Sequence, residues 1–139
     1  KANTGSIYGD PGLGYVSWNN VTQIGSNLIY VSHQTSNNIS VDIFLNLLQI
    51  GQTFVLQDVT SSQNVQNWTI SGAVTNINAG QPNSYYVIPV TFNSSGGVGT
   101  TNFPNNGQLF LAPVILRLAY GGQHENKFFN YSINIALIF

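Results

Sequence analysis

The strongest constraint on this chain is a period of two. From residue 127 to 139, Phe129, Tyr131, Ile133, Ile135, Leu137 and Phe139 fall on one parity and Asn130, Ser132 and Asn134 on the other. Tyr86, Ile88, Val90 and Phe92 repeat the pattern. Successive side chains of a strand point to opposite faces, so this alternation reads as strand with one face buried. Gly and Asn interrupt it about every ten residues, and no helical crossover intervenes. The expectation is an all-β fold, a sandwich or barrel of about eight strands with short connections.

Along the chain, residues 1–14 carry five Gly or Pro (Gly5, Gly9, Pro11, Gly12, Gly14) and read as an extended N-terminal arm, ahead of a β-domain over 15–139. Leu13, Tyr15 and Ser17 alternate with Val16 and Trp18, a short strand, and residues 21–32 give a second. Residues 38–50 are read as a long strand with Ile39, Val41, Ile43, Leu45 and Leu47 on one face. A helix over 41–50 competes, but β-branched residues and strict early alternation favour strand. Phe54 and Leu56 mark the next strand, then Trp68, Ile70 and Val74 with Gly72 as a bulge. Pro89 within 86–92 and Pro113 within 107–120 remove ladder donors and mark a bulge or edge. Ser94–Gly99 is read as a loop.

Charge is scarce. Three Lys or Arg and four Asp or Glu make 7 ionised residues in 139, or 5%, where an ordinary soluble domain has about 25%. A hydrophobic fraction of 42% argues against disorder. A net charge of −1 argues against nucleic acid, which is held by neutralising phosphates. The absence of Cys excludes a disulfide framework, a thiolate metal site and a cysteine nucleophile. No run reaches the roughly 18 apolar residues of a membrane span. The lack of an apolar N-terminal helix argues against subunits that polymerise through one, as in type IV pili. Met is absent, at position 1 too, which reads as a chain that begins after processing or has been trimmed. In place of charge stand 19 Asn, 13 Ser and 10 Thr. Such a surface hydrates without ionising and has few carboxylates to titrate, which suits an extracellular protein, in acid included. A net charge near zero also favours association.

Two features point toward partners. The last strand stays apolar to Phe139, although chain ends ordinarily fray, so it is sheathed by its own core or by another chain. The polar strand faces lack the charges that ordinarily blunt a sheet edge. Together with a glycine-rich arm, this reads as assembly by strand addition between copies of the chain. Five Asn-x-Ser/Thr sequons occur, at Asn20, Asn38, Asn67, Asn93 and Asn130, against about three expected by chance. All five take the outward parity or a turn, and N-linked glycans are expected there.

Catalytic chemistry finds little support. Asp42 and Asp58 could meet across strands as a carboxylate pair, but solubilising surface groups are the favoured reading. No Gly-x-Ser-x-Gly elbow presents a serine. His33, His124 and Glu125 could bind a metal, and Glu125 with Lys127 could promote an isopeptide; exposed loop residues and an ion pair are favoured instead. Gly96-Gly97-Val98-Gly99 lacks the Lys and the strand–helix setting of a phosphate loop and reads as a turn. No catalytic residue, cofactor or metal is expected. Of 17 aromatics, most sit at core parity, while Tyr8, Tyr15, Trp18 and Tyr85 look freer for a ligand or subunit contact.

With these features together, the chain resembles the subunits of archaeal thread filaments, non-type-IV surface fibres. The likeness is carried by the Asn/Ser/Thr-rich, Cys-free and Met-free chain, the five sequons, the 1–14 arm and the all-β remainder. It implies an immunoglobulin-like, pilin-like sandwich, N-glycosylated and located in an extracellular cell-surface filament with an adhesive or biofilm role. Subunits would join head to tail by donor-strand complementation. The contacts so implied are Ile7, Tyr8, Leu13 and Tyr15 from the arm, which could extend to Trp18, and Phe129, Tyr131, Ile133, Ile135, Leu137 and Phe139 from the groove wall. The alternatives are a viral capsid or fibre protein and a carbohydrate-binding adhesin module.

Overall fold

Strand forms wherever the alternation is strictest. The computed structural model describes residues 1–5, 7–120, 128–134 and 137–139, with 115–120 and 128–134 described in their backbone alone. Among these are nine strands: β1 (Val16–Trp18), β2 (Leu28–Ser32), β3 (Thr53–Asp58), β4 (Ser61–Ile70), β5 (Thr75–Ile77), β6 (Tyr85–Gly96), β7 (Leu109–Tyr120), β8 (Phe128–Asn134) and β9 (Leu137–Ile138). Every ladder is antiparallel, in the order β1-β2-β6-β4-β3-β7-β8, with β5 on β6 and β9 on β7. The fold is the all-β sandwich expected, built from a curled sheet.

The long strand β6 makes the curl. Its first half, Tyr85 to Pro89, pairs with β2, and its second half, Val90 to Gly96, pairs with β4. Pro89 stands where the partner changes. Val90 donates its N–H to Asn27 on the β2 side, so the missing donor of Pro89 faces the seam between β5 and β4. Pro113 has the same place in β7, between the residues paired with β9 and those paired with β8. Each proline sits at a change of partner, where one fewer donor costs nothing. Gly72 is not a bulge. It lies just past β4, where a Cβ would press on the Pro89 ring at 3.1 Å, and the register shift falls at Asn67/Trp68.

The interior holds Trp18, Trp68, Phe54, Tyr86, Phe103 and Phe139 with a dense set of Ile, Leu and Val. Tyr86, Ile88 and Val90 face it, as their alternation predicts. The two layers are tied by a polar bond as well. Trp18 of β1 and Gln66 of β4 are not neighbours in the sheet, yet the indole Nε1–H donates to Gln66 Oε1 at 3.1 Å.

Several expectations are corrected. Residues 38–50 are not a strand. They form a short helix, α1 (Asp42–Leu45), and a following turn. Val41, Leu45 and Leu48 are buried, a spacing of four and three that belongs to a helix face, while Ile39, Ile43 and Leu47 are exposed. Residues 21–27 are loop and 3-10 turn rather than strand. Strand β4 begins at Ser61, ahead of its apolar residues, and β6 runs on through Gly96 into the stretch expected as loop.

The largest correction concerns residues 1–14, which do not project as an arm. Asn3 N–H donates to Val16 O and Val16 N–H to Lys1 O, forming a parallel bridge along the free edge of β1. On the other side Ala2 N–H donates to Gly107 O and Asn106 N–H to Ala2 O. Ala2 is fully buried, between β1 of one layer and the turn that leads into β7 of the other. The chain thus closes its own interior at this seam. The return depends on Gly14, whose φ is +78° and whose absent Cβ would lie 2.8 Å from Ser36 Cα.

Candidate functional site

The residues expected at a subunit contact divide sharply. Leu137 and Phe139 belong to the core. Phe139 and Leu109 exchange both backbone hydrogen bonds, at 2.7 and 2.9 Å, so the strand expected to wall an open groove is sheathed by its own β7. Phe129, Tyr131 and Ile133 lie in β8 opposite Ala119, Arg117 and Ile115; their side chains, and Ile135 altogether, are outside the described residues. On the N-terminal side, Tyr8 and Leu13 are exposed. Ile7 is half-buried and lines a small cavity of about 20 Å³ with Asn3, Thr4 and Trp18. Tyr15 is half-buried and donates its hydroxyl to Asn106 Oδ1 at 2.8 Å. Trp18, expected to be free, is core.

The two groups nonetheless converge. Ala2 is bound at residues 106–107 and Phe139 at Leu109, so the segment 106–109 moors both the start and the end of this chain. The described 1–3 segment is short, held by four hydrogen bonds between backbone amides, one methyl side chain, and two bonds to the lead that follows, from the Lys1 amine to Gly14 O and from Asn3 Nδ2 to Pro11 O. That lead, 4–14, is rich in glycine and proline; Thr4 N–H donates to Asn105 Oδ1 at 3.1 Å, and Pro11 and Gly14 are buried.

The sequon asparagines differ in exposure. Asn20, Asn38 and Asn93 are exposed, and Asn67 is half-buried on β4. Asn38 occupies a turn at φ 60°, with its Oδ1 accepting from Gln34. Asn67 and Asn93 interlock. Asn67 Nδ2 donates to Ser94 Oγ at 2.9 Å, and Asn93 exchanges hydrogen bonds with Thr69 Oγ1. Each sequon thus uses a hydroxyl of the other. Asn130 lies in β8 with its side chain outside the described residues.

Among the described residues the acidic and basic groups stand apart from one another, save for Asp42 and His33. Asp42 and Asp58 keep separate company. Asp58 Oδ1 accepts from Thr60 N–H and Thr60 Oγ1, each at 2.7 Å, and these bonds hold its carboxyl below the usual range. Asp42 accepts from Tyr86 Oη at 2.8 Å and Ser40 Oγ at 2.9 Å, and faces His33 Nδ1 at 3.6 Å. Burial first, and then the bond to Asp42, push the Tyr86 phenol well above its ordinary value. The cluster opens on a recess of about 330 Å³ lined also by Gly80, Gln81 and Pro82. It contains Ser, His and Asp but is not a nucleophilic triad. Ser40 bonds the carboxylate rather than the imidazole, and His33 Nε2 is occupied by Pro82 O at 3.2 Å. No group of three metal-ligating side chains occurs among the described residues. His124, Glu125 and Lys127 lie outside them. Sequence reasoning missed the Asp42–Tyr86 pair, which joins residues 44 positions apart and leaves no local pattern.

Comparison with known proteins finds no family, no curated protein and no solved structure that matches this chain.

Proposed function

We propose that this protein is a structural subunit of an extracellular filament, N-glycosylated on its surface, and that copies join head to tail by exchanging their N-terminal segments. One observation supports the reading. Residues 1–3 fill a seam between the two layers through backbone hydrogen bonds that any copy of the chain could supply, at the end of a glycine- and proline-rich lead. Exchange of an identical element leaves the contacts unchanged and is a low-cost route from closed monomer to assembly. Where the segment of one copy enters the seam of the next without a reciprocal exchange, the contact is heterologous, and a rotation that does not close yields a fibre. The scarcity of charge removes the self-repulsion that would oppose stacking, and sugars on Asn20, Asn38, Asn67 and Asn93 keep such a fibre soluble.

The chain has no cysteine, so an engineered pair is unambiguous. In Thr4→Cys/Asn105→Cys, oxidation of assembled material is expected to give a ladder of covalent oligomers on a denaturing gel, alongside fibres in the electron microscope. A chain lacking residues 1–14 is expected to form none. A single monomeric band from material that shows no fibres overturns the proposal, and closed shells in place of fibres would turn it toward a capsid.

A further inference from the structure

Between His33 and Asp58 the sequence holds one ionisable residue, Asp42. Its carboxylate accepts from Tyr86 and Ser40 and faces His33, 39% exposed at the recess that His33 lines. Around it the helix α1 and its flanks bury Val41, Leu45 and Leu48 and leave the opposite face bare. Ile39 is 61% exposed, Ile43 76%, Phe44 37%, Leu47 60% and Ile50 64%. Single exposed apolar residues need no explanation; five along one short segment do.

We infer that this face is a contact between two copies of the chain, each presenting the same residues across a two-fold axis. Three observations select a second copy as the occupant. The first is area. Five side chains at these exposures present on the order of 500 Å² of apolar surface, the apolar share of a standard interface of about 800 Å² per partner. The second is the rim. Exposed Asn46 and Gln49 border the face, and an amide carries both donor and acceptor, so it pairs with its own copy; a rim of one charge would repel it. The third is the absence of any Lys or Arg in this stretch, which leaves nothing to attract an acidic membrane surface. The contact is distinct from the N-terminal seam and forms between copies whose Asn38 carries no sugar, since a glycan beside Ile39 would stand in it.

The test is sedimentation velocity on the unglycosylated chain over a range of concentrations. Wild type is expected to show a concentration-dependent dimer. Ile43→Asp/Leu47→Asp, at two exposed positions, is expected to weaken association at least about 100-fold, because a charge would be buried in the contact, with no change in melting temperature. Val21→Asp, an exposed apolar position elsewhere, is expected to leave the dimer intact. The oxidised, intrachain-closed form of Thr4→Cys/Asn105→Cys cannot exchange its N-terminus and is expected to dimerise still, which separates this contact from the proposed filament joint. Wild type that stays monomeric throughout overturns the inference, as does a double variant that associates like wild type. Flotation of wild type, but not the double variant, with phosphatidylcholine vesicles would overturn it in favour of a lipid surface.

Discussion

The indoles of Trp18 and Trp68 end on a single oxygen. Both Nε1–H groups donate to Gln66 Oε1, at 3.1 and 3.3 Å. The amide nitrogen of Gln66 donates in turn to Gln23 Oε1 at 3.0 Å and to Gly99 O at 3.1 Å. Gln23 completes the set by bonding Phe103 through its backbone N–H and its carbonyl. A buried polar group is tolerable when all its bonds are made, and here Gln66 makes four.

Replacing Gln66 by Leu is therefore expected to be severe although Leu fits a core. It strands two indole N–H groups and the Gly99 carbonyl without partners. At about 1–3 kcal/mol for each of these buried groups left unsatisfied, the loss is about 3–9 kcal/mol. Urea denaturation followed by tryptophan fluorescence measures it. A loss under about 1 kcal/mol would mean that water replaces the amide.

Tyr86 governs the alkaline limit. Burial, the hydrogen bond to Asp42 and that carboxylate's charge raise its folded-state pKa far above 10.0. A group with a raised folded pKa contributes stability that is fully present below its unfolded pKa and lost as pH climbs toward the folded one. Stability is expected to hold to about pH 10 and then to fall. In Tyr86→Phe the fall should be shallower and the plateau lower. Absorbance at the phenolate band against pH, compared with loss of fold, checks this; full tyrosine ionisation in a chain still folded contradicts it.

What the sequence reveals depends on how far a pattern extends. Strand β6 was legible because Tyr86, Ile88, Val90 and Phe92 alternate over most of its length, and Trp68 and Ile70 were placed correctly for the same reason. Residues 38–50 misled because Val41 and Leu45, four apart, share a face under a period of two and under one of 3.6 alike. Ile43, exposed between them, and Leu48, buried where Leu47 is exposed, separate the two readings. The first half of β4 is polar, and nothing in Ser61–Gln66 announces that Gln66 is fully buried. The seam is illegible in the sequence because one alanine fills it, and a lone methyl group carries no alternation of large apolar residues.

The acid side is expected to show two steps. Burial lowers the pKa of the Lys1 amine to about 5, so as pH falls below 8 the unfolded chain takes up that proton before the folded one, and stability declines down to about pH 5. Asp58 has its pKa lowered by its bonds to Thr60, so its contribution is present above the ordinary aspartate range and is lost only as pH falls through the lowered value. Melting temperature should therefore decline between pH 8 and 5 and drop again below about pH 4, and Asp58→Asn should remove part of the second drop only. A curve for Asp58→Asn that matches wild type below pH 4 would show that another group controls acid stability.

Two neighbouring leucines decide the character of α1. Leu45 is fully buried against the core, while Leu47 stands 60% exposed. Had 38–50 been a strand, both would share the buried face and their truncation would cost alike. On the helix they part. Leu45→Ala leaves a cavity and is expected to cost about 2–5 kcal/mol, whereas Leu47→Ala in a dilute, monomeric chain should fall within about 0.5 kcal/mol of wild type. Denaturant midpoints of the two variants measure the contrast. Equal losses would return the segment to a strand and remove the exposed face on which the proposed pairing of copies stands.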